Sequence, residues 1–92
     1  MKIVEEKNRF VLYDDEEEVG EMTFVDRGDI FVINHTYVNP NYRGQKFAEQ
    51  LVASGIEKAR REKRKIFPTC PFAVREFALK PDYKDVLAES LS

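Results

Sequence analysis

The sequence predicts a single α/β domain: an antiparallel four-stranded sheet, a central helix, a parallel fifth strand and C-terminal helices. Three observations support this prediction. Short β-branched and aromatic runs alternate with turn residues over residues 1–38, which is typical of strands joined by hairpins. A long amphipathic segment follows, as expected for a helix packed on a sheet. A short apolar run comes next, and a strand reached through a helix can pair in parallel with the strand before that helix.

Length and composition limit the possibilities. Ninety-two residues are enough for one small domain, so we predict one domain over residues 1–92. Hydrophobic residues make up 42% of the chain and charged residues 35%, which supports a packed core and argues against disorder. The single Cys70 excludes an internal disulfide, and the N-terminal residues lack the apolar stretch of a signal peptide or a membrane span. We therefore expect a cytoplasmic protein with no membrane partner.

Four strands are predicted before the helix. The first two form a hairpin within residues 2–13, as short runs of strand-forming residues. The third covers residues 19–25, where alternation places Val19 on the face opposite Met22. The fourth covers residues 30–38 and begins with an apolar run on both faces, which is typical of a central strand.

The acidic segment between the second and third strands spans residues 14–18. We interpret it as a solvated turn whose charges keep the sheet edge soluble. The alternative is that its carboxylates attract a basic substrate.

The central helix is predicted over residues 44–61, from the 3.6-residue spacing of its apolar positions. Gly55 costs about 1 kcal/mol relative to alanine in such a helix, unless it allows close approach to the sheet. The basic segment 58–65 is either a solvated helix end, a contact for the 3′-phosphate of a coenzyme, or a nucleic-acid contact. The buried stripe is predicted to contain Phe47, Ala48, Leu51, Val52, Gly55, Ile56 and Ala59.

The fifth strand is predicted over residues 65–71, shortened by its prolines. A helix over residues 72–79 and a short helix over residues 83–91 complete the chain, with Pro81 separating them.

A ligand is expected where the fourth strand runs through a turn into the helix. The segment from Arg43 to Lys46 is predicted to open the helix, whose first amides have no intrahelical partner. Those amides, the helix dipole and the two cationic side chains make an anion site suited to a phosphate.

These residues resemble the acetyl-coenzyme A signature of the GNAT superfamily of N-acetyltransferases. That signature reads Gln/Arg-x-x-Gly-x-Gly/Ala and commonly follows Val-x-Pro. Here Val38 and Pro40 precede it, Arg43 and Ala48 match its first and last positions, and Lys46 stands where the family usually has glycine. The whole chain is similar to the short, single-domain YjdJ-like branch, in which a His-Thr-x-Val segment and a later Cys-Pro-Phe also occur.

The resemblance implies a minimal GNAT-like fold and an N-acetyltransferase that moves an acetyl group from acetyl-CoA to a small-molecule or protein amine. The coenzyme's pantetheine arm would lie between the fourth and fifth strands, with the Val38 amide facing the oxyanion. No nucleic acid is expected as a partner. The superfamily usually carries two more helices between its first strands, so the acceptor site here is either open or completed by a second subunit of a homodimer. The residues implied to bind the cofactor are Val38, Arg43, Gly44, Gln45, Lys46, Phe47 and Ala48.

Three residues are candidates for chemistry near the acyl carbon. His35, the only histidine, is a candidate base for the substrate ammonium, and Glu21 is a second candidate. Cys70, placed at the start of a predicted helix, could accept the acetyl group covalently, or could be a packing residue.

The general acid cannot be transferred from the family. Many members show Asn-x-x-Ala-x-x-x-Tyr after the fifth strand, and the matching residues here are Cys70, Ala73 and Phe77. Phe77 has no hydroxyl, so Tyr42, Tyr83 or solvent would protonate the leaving thiolate, or the mechanism differs.

One histidine and one cysteine far apart lack the spacing of metal ligands, so no metal is expected. The alternative function is a coenzyme A-binding or protein-interaction module without efficient catalysis. The lysine at position 46 and the phenylalanine at position 77 favour that alternative.

Overall fold

The structure is a computed structural model that describes residues 1–89. The strands in this part of the chain are β1 (Lys2–Glu6), β2 (Arg9–Asp14), β3 (Glu17–Asp26), β4 (Ile30–Val38) and β5 (Lys65–Pro68). The α-helices are α1 (Phe47–Glu62) and α2 (Pro71–Leu79), and 3₁₀ helices cover Pro40–Tyr42 and Pro81–Val86.

The five strands form one sheet in the order β1-β2-β3-β4-β5. The first four pair antiparallel with their neighbours, and β5 pairs in parallel with β4 after the crossover through α1. The predicted fold class, an antiparallel four-stranded sheet with a central helix and a parallel fifth strand, is therefore confirmed.

Tight turns join the antiparallel strands, and each contains a residue with positive φ. These residues are Asn8 (68°), Asp15 (53°) and Gly28 (85°). Hairpin turns require this left-handed backbone, which Asn, Asp and Gly adopt at least cost. The acidic turn is shorter than the predicted 14–18, because β2 continues to Asp14 and β3 begins at Glu17.

Two bulges change which residues face the core. The register of β2 and β3 shifts so that Val19 has no partner opposite it, and Val19 is buried at 1% exposure within the core. The predicted placement of Val19 on the face opposite Met22 is therefore wrong, since a bulged residue breaks strict alternation. In β4 the extra residue is Asn34, which lies between the positions paired with Thr23 and Phe24.

Helix α1 covers the core face of the sheet. It begins at Phe47 instead of the predicted residue 44, because Gly44 and Lys46 both adopt left-handed conformations that a helix cannot contain. A β-carbon built on Gly55 would lie 2.8 Å from the Met22 methyl carbon, so this glycine does allow close helix-to-sheet approach. The predicted stripe faces inward, with Phe47 and Ala48 partly buried and the following residues buried: Leu51, Val52, Gly55, Ile56 and Ala59.

The C-terminal elements pack at one end of α1. Strand β5 ends at Pro68 rather than at residue 71, because Pro71 already begins α2. The predicted helix over residues 83–91 is wrong in its described part: a 3₁₀ helix ends at Val86, and Leu87 forms a parallel bridge with Ile66. Residues 90 and 91 of that prediction lie outside the described residues. Within residues 1–89, no helix is long and apolar enough to cross a membrane.

Candidate functional site

The parallel pairing of β4 and β5 stops halfway along β4. The last paired residues are Ile33 and Pro68, and the amides of Thr69 and Cys70 both donate to the Ile33 carbonyl oxygen, at 2.9 and 3.2 Å. Beyond this point the edge of β4 is free and a cleft of about 330 Å³ opens beside it. Its walls are formed by Thr36, Tyr37, Val38, Tyr42, Arg43, Gly44, Lys46, Phe47, Ala48, Glu49 and Phe72.

The Val38 amide points to the free edge of β4. The next amide, that of Asn39, donates to the Val19 carbonyl on β3 at 2.7 Å. In an extended strand the amide and carbonyl of one residue point the same way and successive residues alternate. The Val38 carbonyl, which points the same way as the Val38 amide by this rule, accepts a hydrogen bond from Arg43 Nε at 2.9 Å.

The loop between β4 and α1 turns sharply around the cleft. Asn39 stabilises its start, because its side-chain oxygen accepts a hydrogen bond from the Asn41 amide at 2.9 Å. Further on, Gly44 has a φ of 85° and Lys46 a φ of 65°. The Arg43 guanidinium lies 5.8 Å from the centre of the Tyr37 ring, so this side chain links the loop to β4.

The start of α1 presents unpaired amides to the cleft. Lys46 is the N-cap residue and makes no side-chain capping bond, and the first helical hydrogen bond runs from the Gln50 amide to the Lys46 carbonyl at 3.1 Å. The amides of the first turn are therefore available to an anion. Arg43 and Lys46 add positive charge at this wall, whereas Glu49 in the first turn adds a carboxylate.

Tyr42 lines the cleft but its hydroxyl is already engaged. It donates a hydrogen bond to an Asp14 carboxylate oxygen at 2.5 Å. This bond and partial burial raise the pKa of Tyr42 to about 12. A phenol held protonated in this way is a weak acid at neutral pH, which disfavours Tyr42 as the general acid and leaves Tyr83 or solvent.

The two candidate bases lie side by side. His35 Nε2 is 3.8 Å from a Glu21 carboxylate oxygen, and the His35 side chain is 54% exposed. Arg9 holds the other Glu21 oxygen at 3.1 Å. The alternatives drawn from the sequence thus form one neighbouring pair on the open face of the sheet.

Cys70 lies in the core, whereas the His35 side chain is exposed. It is the N-cap residue of α2, is 6% exposed, and its sulfur is 3.6 Å from the Thr36 hydroxyl. Because Thr36 lines the cleft, Cys70 lies directly behind one cleft wall. His35 does not line the cleft, but it shares a strand face with Tyr37, which does.

At the position where the resembling family commonly has tyrosine, Phe77 is a packing residue. Phe77 is 7% exposed and contacts Tyr83 edge-to-face, with ring centres 5.8 Å apart.

The cleft gathers all but one of the predicted cofactor residues. Val38, Arg43, Gly44, Lys46, Phe47 and Ala48 line it, and Gln45 does not. Sequence reasoning missed Thr36, which shares a strand face with Val38, and its neighbour Tyr37. It also missed Glu49 in the first turn of α1 and Phe72, the second residue of α2. The alternation of the strand would have indicated Thr36.

The basic end of α1 lies at the opposite end of the helix, about 24 Å from the cleft for sixteen residues at 1.5 Å each. Its side chains pair with acids of the same chain: Lys58 and Arg61 with Glu5 at 2.6 and 3.0 Å, and Arg60 with Asp85 at 2.9 Å. This arrangement favours a helix-end role over a coenzyme contact. In residues 1–89 no cluster of His, Cys, Asp or Glu has the geometry of a metal site.

Sequence comparison gives one family match. A family model described as GCN5-related N-acetyl-transferase matches residues 9–86. No curated protein sequence matches the chain.

Several solved structures of acetyltransferase-like proteins have a fold similar to that of this chain. A GCN5-like protein from Staphylococcus aureus, described as a candidate N-acetyltransferase, is 29% identical with a TM-score of 0.78, over 95% of this chain and 87% of that one. The ribosomal-protein-alanine N-acetyltransferase of Brucella melitensis biovar Abortus 2308 is 21% identical with a TM-score of 0.63, over 91% of this chain and 65% of that one. A GNAT-family protein from Bacteroides thetaiotaomicron is 19% identical with a TM-score of 0.55, over 82% and 44%. The last two comparisons concern the fold alone.

Proposed function

Because this chain belongs to the GCN5-related N-acetyltransferase family, we propose that it transfers an acetyl group from acetyl-CoA to an amine. The observation that supports this most is the cleft between β4 and α1, where the free edge of β4 meets the uncapped start of a helix. A strand edge and a helix start in this order suit a long ligand with a diphosphate at one end and a thioester at the other.

We place the cofactor as follows. The diphosphate lies against the amides and cations of residues 43–48, and the pantetheine arm follows the unpaired edge of β4. The thioester carbonyl then reaches the Val38 amide, which points into this gap. A preorganised backbone amide of this kind stabilises the oxyanion of the tetrahedral intermediate.

The reaction removes one proton from the attacking amine and supplies one proton to the leaving thiolate. The neutral amine nitrogen attacks the thioester carbon, a C–N bond forms, the C–S bond breaks, and the coenzyme leaves as a thiolate that takes up a proton. We propose that the His35–Glu21 pair accepts the proton lost by the amine, with the acceptor approaching from the open face of the sheet. The thiolate is protonated by Tyr83 or by solvent.

Cys70 offers a second route. Its thiolate would attack the thioester first, release coenzyme A and carry the acetyl group to the amine. Its contact with Thr36 at the cleft wall favours this route, whereas its low exposure favours a packing role. Cys70→Ala with unchanged turnover would eliminate the covalent route, and an acetylated Cys70 found by mass spectrometry in the absence of amine would establish it.

The acceptor side of the protein is open. His35 and Tyr37 are exposed, and in residues 1–89 no helix covers that face of the sheet near them. We therefore propose an exposed lysine or N-terminus of a protein as the acceptor, with completion of the site by a second subunit as the alternative. Light scattering of the purified protein distinguishes a monomer from a homodimer. The cytoplasmic location and the YjdJ-like branch stay predictions.

Calorimetry with acetyl-CoA, followed by a thiol-release assay on a panel of amines, tests the proposal. Arg43→Gln should weaken cofactor binding about ten-fold, because a charge-assisted hydrogen bond to phosphate is lost. Arg27→Gln is the matched control, since Arg27 is exposed in the turn between β3 and β4. Equal affinities of the two variants would refute the placement of the diphosphate.

The second candidate function is a coenzyme A-binding or protein-interaction module. Lys46 in place of the usual glycine and the buried Phe77 in place of the family's tyrosine favour it. Tight binding without amine-dependent thiol release would establish this function instead.

A further inference from the structure

A tyrosine–carboxylate hydrogen bond joins the cofactor loop to a distant hairpin. Tyr42 lies in the loop that follows β4, and Asp14 lies at the end of β2, 28 residues earlier. Their side-chain oxygens are 2.5 Å apart. Asp14 is not part of the cleft lining, so its contact with the site runs through Tyr42.

The loop has few other connections to the sheet. The Asn39 amide bonds to β3 at the start of the loop, and Arg43 Nε bonds to β4. The Tyr42 and Arg43 amides bond only to Asn39 and Pro40 within the loop itself, at 2.8 and 3.3 Å. Lys46, a non-glycine residue in the left-handed conformation, adds to the cost of holding the loop in this conformation.

We propose that the Tyr42–Asp14 hydrogen bond is a positioning contact that fixes the loop in its cofactor-binding conformation. The acidic hairpin between β2 and β3 thereby becomes part of the cofactor site without touching the cofactor. This inference rests on the proposed function for its ligand, but the ordering of the loop is a property of the free protein.

The charge of Asp14 makes it a good acceptor for the Tyr42 hydroxyl. A hydrogen bond to a charged acceptor is stronger than one between neutral groups. The raised pKa of Tyr42 keeps the donor proton in place throughout the neutral range.

The experiment compares Tyr42→Phe and Asp14→Ala with the double variant. Each single change should raise the dissociation constant of acetyl-CoA about three- to ten-fold, which corresponds to the ordinary net contribution of one hydrogen bond. The double variant should be no weaker than the weaker single variant, because both remove the same bond. Asp14→Asn should recover most of the affinity, since its amide oxygen can still accept the hydrogen bond.

The chain offers a matched control. Tyr13 also donates to a carboxylate, that of Glu6, at 2.8 Å, but on the open face of the sheet and, within residues 1–89, with no hydrogen bond from either residue to the loop. Tyr13→Phe therefore removes a bond of the same kind and should leave cofactor affinity unchanged. Additive effects of the two single variants, or an equal loss in Tyr13→Phe, would overturn the proposal.

A second measurement separates this inference from the proposed function. Hydrogen exchange of the Tyr42 and Arg43 amides in the free protein should accelerate at least three-fold in Tyr42→Phe and Asp14→Ala, and not in Tyr13→Phe. If the wild-type protein binds no acetyl-CoA, the proposed function fails while the exchange result still decides the role of the contact. Unchanged exchange in all three variants would refute it.

Discussion

At the scale of single residues, Lys46 combines two unusual properties. It stands at the start of α1 in a left-handed conformation, with a φ of 65°, and it occupies the position where related signatures have glycine. A non-glycine residue pays about 1–2 kcal/mol for this conformation. Glycine adopts this conformation without that steric cost. It loses more backbone entropy on folding, however, and this loss cancels part of its advantage.

We expect Lys46→Gly to stabilise the protein by about 0.5–1 kcal/mol, the difference between these two costs. Urea unfolding measures the change. Lys63→Gly is a matched comparison, since Lys63 ends α1 with a φ of 57° and should show a gain of similar size. A loss of stability in both variants would mean that the left-handed backbone is not the dominant cost.

At the scale of elements, two glycines set how closely strands and helix approach. A β-carbon on Gly20 would lie 2.9 Å from the Tyr37 carbonyl oxygen, which belongs to the backbone of β4. A β-carbon on Gly55 would lie 2.8 Å from the Met22 methyl, the flexible end of a side chain. These nearly equal distances have different consequences, because backbone cannot move aside as easily as the end of a flexible side chain.

Gly20→Ala should destabilise the protein by about 1–3 kcal/mol, because β3 and β4 must move apart. The same shift would displace Val38, which is paired with Gly20, so cofactor affinity should fall too. Gly55→Ala should stay within about 1 kcal/mol of the wild type, since the gain in helix propensity offsets the movement of Met22. Thermal unfolding and calorimetry of the two variants test both statements, and a larger loss in Gly55→Ala would contradict them.

The elements also show what local sequence determines. The stripe of α1 follows from a 3.6-residue period, and the strand order follows from the hairpin turns, so both were predictable. The bulge at Val19 depends on the partner strand, and the extended Leu87 depends on pairing with Ile66, where the Ala88 amide also donates at 2.8 Å. Tertiary contacts of this kind override local preference.

The candidate site likewise has a part that the sequence predicts and a part that only the fold brings together. Its cofactor wall is one continuous segment, residues 38–48, and a motif identifies it. The pairs Tyr42–Asp14, Glu21–His35 and Thr36–Cys70 join residues that are distant in the chain, and only the folded sheet brings them together.

At the scale of the whole molecule, ion pairs connect the ends of the elements. Arg60 in α1 binds Asp85 near the C-terminus, and Arg64 binds Asp26 at the end of β3. The Arg60 guanidinium holds the pKa of Asp85 below its ordinary value. For Asp26 the Gly28 amide lowers the pKa most and Arg64 adds to it.

These shifts fix the sign of the pH dependence. A carboxyl whose folded-state pKa lies below its unfolded value binds protons more readily when unfolded. Its contribution to stability is fully present above the unfolded pKa, near 4, and is lost as the pH falls below that value. The pKa of Glu6 is lowered mainly by its hydrogen bond from Tyr13, and the pKa of Glu62 mainly by its hydrogen bond from Lys58. Both carboxyls therefore change stability with pH in the same direction. We therefore expect the urea midpoint to be level from about pH 7 to pH 5 and to fall below about pH 4.5.

Asp85→Asn tests this explanation at a single group. The variant should be less stable than the wild type at pH 7, and the difference should shrink as the pH falls below about 4, because the contribution of a carboxyl with a lowered pKa is lost in that direction. Because the pair is exposed, about 1 M salt should shrink the difference at pH 7 as well. Asp29→Asn is the control, since the Asp29 carboxylate makes no ion pair within residues 1–89. A difference in Asp85→Asn that stays constant from pH 7 to pH 3 would show that packing, and not charge, carries the effect of this residue.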